Sequence, residues 1–537
     1  MGQNFVTAER DQLFLLPPDA REWLPGRHLA WAVLEAAGEL DMAPFTAWYR
    51  ADGQGRPAYH PRLMAGLVMY CYCKGIRSSR AVEMATWDDV GARVICGNLH
   101  PDHATVARFV THHETAVKGL LVQSLAACAR QGLVSVDVVA GDGTKVKASA
   151  SMAAGVTAEQ LEIEIGELEA LLAAGVETWF AQAQAADAAE DALFGDGDGD
   201  GGPAVGGTMT MARLTDKIVG RQKARTRLDA EAAGRQAEAT AAHRDKITRL
   251  EARCAARRAG AERLAAQADA RVADYQRRAA AKAAAGGRNR PGGRVPVPAG
   301  RHIVVRRARQ ALAAAEQALA AAQAAPAAAA PPAKPPKASP ADPASRVMPA
   351  KKGGFDQLHN VQVLAGEHQV IYAIATHDNP AGTGALHPLP GEGRASLDAA
   401  GIPEPIGKAL FDAGYASEDN FTTACEPELY VAITKEARQT GRLRDGRKPA
   451  TMKQSWQQMA ARLDAPEGKA LYRRRAGIIE PVFAQLFARL GRNLHYRDTK
   501  VDLELHLRAA SHNLLKAIRA PARRAAASPA PKLAPAS

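Results

Sequence analysis

The chain has 537 residues, 47% hydrophobic and 23% charged, with 69 Lys and Arg against 57 Asp and Glu, enough for two or three domains and a substantial buried core. No run of about 18 apolar residues free of charge and proline is present, which excludes an obvious transmembrane helix. The N-terminus has no basic region before its first apolar stretch, so no secretory leader is expected. The six cysteines (Cys71, Cys73, Cys96, Cys128, Cys254 and Cys425) form no CxxC pair, which argues against a zinc ribbon or a disulfide framework and for a reducing cytoplasm.

Residues 1–130 read as a helical domain. The apolar positions of 60–76 predict a buried helix, and 78–113 predicts short helices broken at Gly97 and Pro101. Asp102 is placed as the N-cap of a helix running through Arg108. Such a module is either helix-turn-helix-like, with that helix reading DNA, or a purely structural bundle. The pattern then changes. Residues 134–151 alternate as two strands around Gly141-Asp142-Gly143, a hairpin signal.

From 156 to 340 the chain reads as an inserted coiled-coil-like arm. Residues 155–210 hold twelve acids, from Glu159 to Asp200, and no Lys or Arg; residues 211–290 hold twenty Lys and Arg against nine acids. The basic block suits an anionic polymer, or else is a solvated helix face. Helical periodicity is interrupted by a Gly-rich loop at 194–207. From 311 to 345 the Ala- and Pro-rich composition predicts that helix gives way to a linker. Strands resume at 355–364 and 368–376, with short apolar runs at 408–417 and 429–435, and helices follow at 471–490 and 500–519. Residues 521–537 have the composition of a disordered tail. The two strand-rich pieces are expected to form one mixed sheet, because neither could bury both faces alone.

Several motifs are set aside on chemistry. The Asp-Gly repeat at 196–201 starts like a calcium loop, but its twelfth position is Gly207 rather than a bidentate Glu. His113-Glu114 lacks the second His of a zincin helix, and Cys96, His100 and His103 have no fourth ligand at a recognisable spacing. Three acids are stronger candidates. Asp142 and Asp412 each end an apolar strand, where catalytic groups converge on rigid backbone. Glu480 lies on a helix among Ile478, Ile479, Val482, Phe483 and Leu486, a costly place for a carboxylate unless it is paired or metal-bound. Each also has a plain structural reading: Asp142 as a turn residue, Asp412 as a helix cap, Glu480 as the partner of Arg474 or Arg475.

Together, Asp-Gly-Thr at 142–144, Asp-Ala-Gly-Tyr at 412–415 and Tyr472…Arg475…Glu480-Pro-Val-Phe resemble the signatures of bacterial insertion-sequence DDE transposases. The likeness is to the family numbered, in words, eleven eighty-two, related to the group with a Tyr-Arg-Glu-Lys signature. Supporting stretches are Asp342-Pro343…Ser345-Arg346…Met348, His359-Asn360-Val361-Gln362, His512-Asn513-Leu514 and the segment from Pro101 to Phe109. The resemblance covers about 5–155 and 341–520. It implies an α/β, RNase H-like mixed sheet with helices, beside an N-terminal all-helical domain and a long helical or coiled-coil insertion. The implied domains are 1–130 for DNA-end binding, 131–155 and 341–520 for catalysis, 156–340 for the insertion and 521–537 for the tail. It also implies that Asp142, Asp412 and Glu480 are catalytic and hold two Mg²⁺ ions, with Mn²⁺ as substitute, as hard carboxylate oxygens suit. Arg108, Tyr472, Arg475 and Arg489 are the expected DNA contacts.

Position 487, where the resemblance predicts Lys, is Phe; Ala484 and Phe411 also depart from the pattern. Arg489 is the nearest basic residue, about 200° further round the helix. The expected function is a transposase that cleaves its element's ends and joins the 3′-hydroxyls to target DNA. Its partners would be terminal inverted repeats, target DNA and further copies of the chain on paired ends, in a nucleoid-associated bacterial cytoplasm. A catalytically inactive, DNA-binding relative is the alternative, and a plain coiled-coil scaffold the third reading.

Overall fold

The computed structural model describes residues 22–47, 49, 58–194, 206–285, 294–327, 335–350, 353–377, 382–433 and 453–520, with side chains omitted at 179–194 and 206–210. The Asp-Gly repeat at 196–201 and the tail at 521–537 lie outside the described residues. The protein is a helix-rich mixed α/β chain with an N-terminal helical region, a mixed sheet and one very long helix. Contacts divide it into two compact units. One comprises residues 1–156, 167–224 and 338–537; the other comprises 157–166 and 225–337.

In the first unit, eight helices precede the sheet among the described residues: α1 (Leu29–Gly38), α2 (Ala43–Thr46), α3 (Pro61–Lys74), α4 (Ser79–Asp88), α5 (Val90–Ile95), α6 (His103–His112), α7 (Glu114–Lys118) and α8 (Leu120–Arg130). Helix α3 starts on Pro61, whose missing N–H costs nothing at N1, and stops at Gly75 in the left-handed region (φ 87°). Every residue from Met64 to Cys73 is buried, so this helix is the module's centre. Gly75 is required twice over, since a Cβ there would also meet the Arg489 carbonyl at 2.7 Å. Helix α6 begins where the sequence placed it: Asp102 Oδ1 accepts from the Thr105 N–H at 2.8 Å.

The sheet contains β1 (Val138–Lys147). After the insertion come β2 (Arg346–Pro349), β3 (Phe355–Gly366), β4 (Ile371–His377), β5 (Lys408–Phe411) and β6 (Glu428–Val431). One edge of β3 pairs antiparallel with β1, and the other pairs antiparallel with β2 over its first residues and with β4 thereafter. β1 pairs parallel with β5, and β5 parallel with β6. The strand order is therefore β4 (with β2)–β3–β1–β5–β6.

β1 corrects one expectation. It runs straight through Gly141-Asp142-Gly143 with no hairpin. The two glycines are there for space. A Cβ at 141 would sit 2.2 Å from Phe411 Cε1, and one at 143 would sit 2.4 Å from Gln362 Nε2.

Helix α12 (Pro388–Ala399) packs on β3 and β4, and α13 (Glu418–Thr422) on α14 (Gln454–Asp464). Helix α15 (Pro466–Leu490) lies across β1 and β3, and α16 (Lys500–Arg519) packs on β4, α3 and α8. In α16, buried Asn513 exchanges two 2.8 Å hydrogen bonds with the backbone of Ile371. His512 meets the Gln369 carbonyl at 2.8 Å, and burial pulls its pKa down to about 4. Pro481 breaks the hydrogen-bond ladder inside α15. The Gly477 carbonyl that loses its intrahelical donor accepts instead from Gln369 Nε2 at 3.3 Å.

Among the described residues of the insertion lie three helices, α9 (Ala158–Phe194), α10 (Gly206–Ala284) and α11 (Ile303–Ala324). The excursion between β1 and β2 begins and ends at one clasp, although residues 167–224 within it belong to the first unit. Val156 N–H donates to the Ala338 carbonyl at 2.8 Å, and Ala338 N–H returns to Val156 at 2.9 Å. In the second unit, α11 runs antiparallel along α10. Arg258 pairs with Glu316 at 2.8 Å, and the Ala299 N–H donates to Asp269 at 2.9 Å. The seam is apolar and largely alanine: Ala268, Ala299 and Val305 are buried, with Leu264 and Ala265 packed against them. The Ala-rich stretch predicted to give way to linker from 311 stays helical to Ala324, because alanine, the best helix former, also lets the helices approach closely. Among the described residues no helix is long and apolar enough to cross a membrane.

Candidate active site

The β1–β5 register, Val139 opposite Ala409 and Ala140 opposite Leu410, continues to bring Asp142 level with Asp412. Asp142 Oδ1 accepts from the Gly143 N–H at 2.7 Å. Asp412 has the cap geometry of its plain structural reading: its Oδ1 accepts from the Gly414 N–H at 2.9 Å at the start of a 3₁₀ turn, Ala413–Tyr415. Both carboxylates turn their second oxygen to one cation. Arg475 Nη2, on α15, lies 3.3 Å from Asp142 Oδ2 and 3.7 Å from Asp412 Oδ2. The two oxygens are therefore at most 7.0 Å apart, the sum of those distances.

Burial holds the Asp142 carboxyl above the usual carboxylate range. Arg475 opposes that shift, while the negative charges of Asp412 and Glu480 add to it. Glu480 is thus electrostatically part of the group, but its side chain is on the exposed face of α15, while Ile478, Ile479, Val482 and Leu486 are buried. The expected carboxylate within an apolar face is corrected, because helical spacing turns position 480 outward. The alternative pairing of Glu480 with Arg474 or Arg475 is also not formed: Arg474 pairs with Glu367, and Arg475 is committed to the aspartates. Among the described residues no three His, Cys, Asp or Glu side chains are gathered closely enough to hold a metal ion. Two hard oxygen donors facing a shared cation fit a divalent ion in donor type, with Glu480 as the outlying third.

Buried polar groups support the pair from behind. Tyr415 donates to Gln362 Oε1, and Gln362 Nε2 to Asn360 Oδ1 at 3.0 Å. Burial, then the charges of Asp142 and Asp412, pushes the Tyr415 hydroxyl pKa far up, so it remains a donor. Tyr472 Oη donates to the Phe411 carbonyl at 3.1 Å, fixing the backbone one residue before Asp412.

The remaining expected DNA contacts lie elsewhere. Arg108 is exposed on α6 and lines a cleft of about 490 Å³ with Tyr49, Tyr59 and Phe109. Arg489 is largely sequestered. The titratable groups beside it are the Cys73 thiol and Arg519 rather than the three carboxylates, and its Nε and Nη2 are buried without partners. The structure does not bring it to the site. Phe487 stacks on Phe483 with ring centroids 6.0 Å apart, and the Arg492 guanidinium sits 4.2 Å over the Phe487 ring. Arg492 Nη1 also reaches Thr144 Oγ1, on β1, at 3.4 Å. Neither Arg492 nor the Tyr415–Gln362 pair was singled out residue by residue, since no spacing along the chain brings positions 348 or 53 apart together.

Residues 18–112 match the family model described as Transposase domain (DUF772), and residues 434–518 match the one described as Transposase DDE domain. No curated protein and no solved structure gives a significant match. The first match takes in Arg108, and the second takes in Tyr472, Arg475, Glu480 and Arg489, while Asp142 and Asp412 lie in neither. DDE transposase domains generally use divalent metal ions. The two matches, one at each end of the chain, support an insertion-sequence DDE transposase.

Proposed function

We propose that the protein cleaves the ends of its own element by phosphodiester hydrolysis and joins the freed 3′-hydroxyls to target DNA. Asp142, Asp412 and Glu480 are the carboxylates of the reaction. The observation that carries the reading is the shared cation: two aspartates from neighbouring parallel strands, their Oδ2 atoms 3.3 and 3.7 Å from one guanidinium. The strand order, with β1 central and antiparallel to β3 but parallel to β5, supports the RNase H-like fold. The division into an end-binding N-terminal domain, a split catalytic domain and a helical insertion belongs to the same proposal, as does kinship with the family numbered eleven eighty-two.

Asp142, Asp412 and Glu480 would hold the Mg²⁺ ions. Bound there, the ions supply Lewis-acid stabilisation of the phosphoryl and leaving oxygens, and an activated water or 3′-hydroxyl. The chain's own residues do the rest. The Gly143 and Gly414 amides keep both carboxylates aimed before substrate arrives. Arg475, whose Nη2 lies between the two aspartates, is placed to fork onto a phosphate oxygen brought to them. Arg108, exposed beside aromatic residues in its cleft, contacts the DNA ends, and two copies hold paired ends.

The test is Mg²⁺-dependent nicking and strand transfer on DNA carrying the element's ends, with wild type beside Asp412→Asn. Activity in wild type alone is expected. Equal activity in both would remove Asp412 from the chemistry. Salt-sensitive end binding without cleavage by either would turn the reading to the inactive relative, which the family matches do not favour.

A further inference from the structure

The segment between α15 and α16, residues 491–499, is an unusually well-held connection. It lies alongside the end of β1: Lys147 N–H donates to the Arg492 carbonyl at 2.9 Å, and Leu494 N–H to the Lys147 carbonyl at 2.9 Å. From beneath, Arg508 donates to the Gly491 carbonyl at 2.8 Å and the Asn493 carbonyl at 2.7 Å, and Arg77 to Asn493 at 2.6 Å. Glu504 Oε2 accepts from the His495 and Tyr496 N–H groups at 2.7 and 2.9 Å. Glu504 and Arg508 are 0% and 2% exposed and pair at 2.7 Å. Burying an ion pair is costly. Here nearly all of its hydrogen-bonding capacity goes into fixing this one stretch of backbone.

Two arginines stand on that platform, Arg492 and Arg497, both exposed. Each is tied to a hydroxyl on or just beyond β1: Arg492 to Thr144, and Arg497 Nε to Ser149 at 3.1 Å. Among the described residues neither has a carboxylate within ion-pair range. A guanidinium carries five donors, so each retains most of them for a ligand. Thr144 is on the same face of β1 as Asp142, about 7 Å along the strand.

We infer that Arg492 and Arg497 form a phosphate-binding ledge, which takes the sugar–phosphate backbone of the DNA strand that runs on from the Asp142–Asp412 pair. The inference rests on the DNA-cleaving reading above and adds to it where the strand lies. The rigid platform sets the position of both guanidinium groups in advance, and Phe487 holds the first by its ring face. Such contacts set register and strength of binding, not sequence.

The test is fluorescence anisotropy of the full chain with a labelled DNA duplex of arbitrary sequence, titrated across salt. The variants are R492Q/R497Q and the charge-conserving R492K/R497K. Loss of two duplex phosphate contacts lowers the slope of log K against log salt by about 1.8, so that the wild type's affinity advantage shrinks about tenfold between about 50 and about 200 mM salt. The Lys pair is expected to keep the wild-type slope, although it loses the fixed fork to Thr144 and Ser149. An unchanged slope in R492Q/R497Q, with native thermal unfolding, overturns the ledge and leaves the transposase reading standing. A Lys pair that loses the slope as the Gln pair does would make the arginines structural, and also overturns it. Wild type without salt-sensitive binding overturns both.

Discussion

Arg475→Met removes the only cation shared by Asp142 and Asp412 among the described residues and leaves two carboxylates facing each other. The guanidinium–carboxylate pairs, with nitrogen–oxygen distances of 3.3 and 3.7 Å, are worth about 5 and about 4.5 kcal/mol gross at an effective dielectric near 20. Arg475 and Asp142 are 11% and 21% exposed, so most of the first term survives, whereas Asp412 is 43% exposed and its term is largely screened. After the desolvation that arginine no longer pays, a net loss of about 2–3 kcal/mol at neutral pH is expected. The pH dependence carries the sharper content. Asp142 titrates above the ordinary carboxylate range in the folded protein, so the native state binds its proton more tightly than the unfolded chain. Its ionised form is a liability that protonation relieves as pH falls through the folded pKa. Without Arg475 that pKa rises further. Urea unfolding should therefore show the variant's deficit shrinking from neutral to mildly acidic pH, and Arg475→Met/Asp142→Asn should be less destabilised than Arg475→Met alone. A deficit constant with pH, together with strict additivity of the two substitutions, would show that the guanidinium is not compensating these carboxylates.

On the proposed function divalent ions and Arg475 address the same oxygens, so Mg²⁺ or Mn²⁺ should raise the melting temperature of Arg475→Met more than that of wild type; an equal shift would put the ion elsewhere. Gly141→Ala forces a Cβ to within 2.2 Å of the Phe411 ring, and overpacking of this kind costs about 1–3 kcal/mol. Chemical denaturation should find most of that loss recovered in Gly141→Ala/Phe411→Leu. His512, with its pKa drawn down to about 4, must be buried neutral, so it contributes stability that is present above the unfolded pKa and lost as pH falls toward 4. His512→Gln, which can still donate to Gln369, should flatten the stability profile over that acidic window; an unaltered slope would assign the pH dependence to other groups.

What could be read along the chain, and what could not, divides on physical grounds. The cap at Asp102, the start at Pro61 and the stop at Gly75 are local chemistry, settled within a turn of the residues concerned. The unbroken burial of α3 follows from its equally unbroken apolar composition. Gly141-Asp142-Gly143 shows the opposite case. The composition is that of a turn, yet the missing Cβ atoms make room for Phe411 and Gln362, more than two hundred residues away. Helical spacing alone sends Glu480 outward, although its apolar neighbours in sequence suggested burial. For Arg489 the position on the helix was legible, but not that Cys73 on α3 would be its neighbour. Arg475 was recognised as a phosphate donor, whereas its place between the two aspartates depends on β1, β5 and α15 meeting, which no periodicity encodes.

The clasp between Val156 and Ala338 has a consequence for how such a chain can evolve. Two backbone hydrogen bonds bring the ends of the excursion together and so favour the register of β1 on β3. Closing a longer loop costs only about 0.6 kcal/mol per doubling of its length. Selection can therefore lengthen, trim or exchange residues 225–337, which belong to the second unit, with little consequence for the sheet. The same junction would accept a foreign domain as a graft.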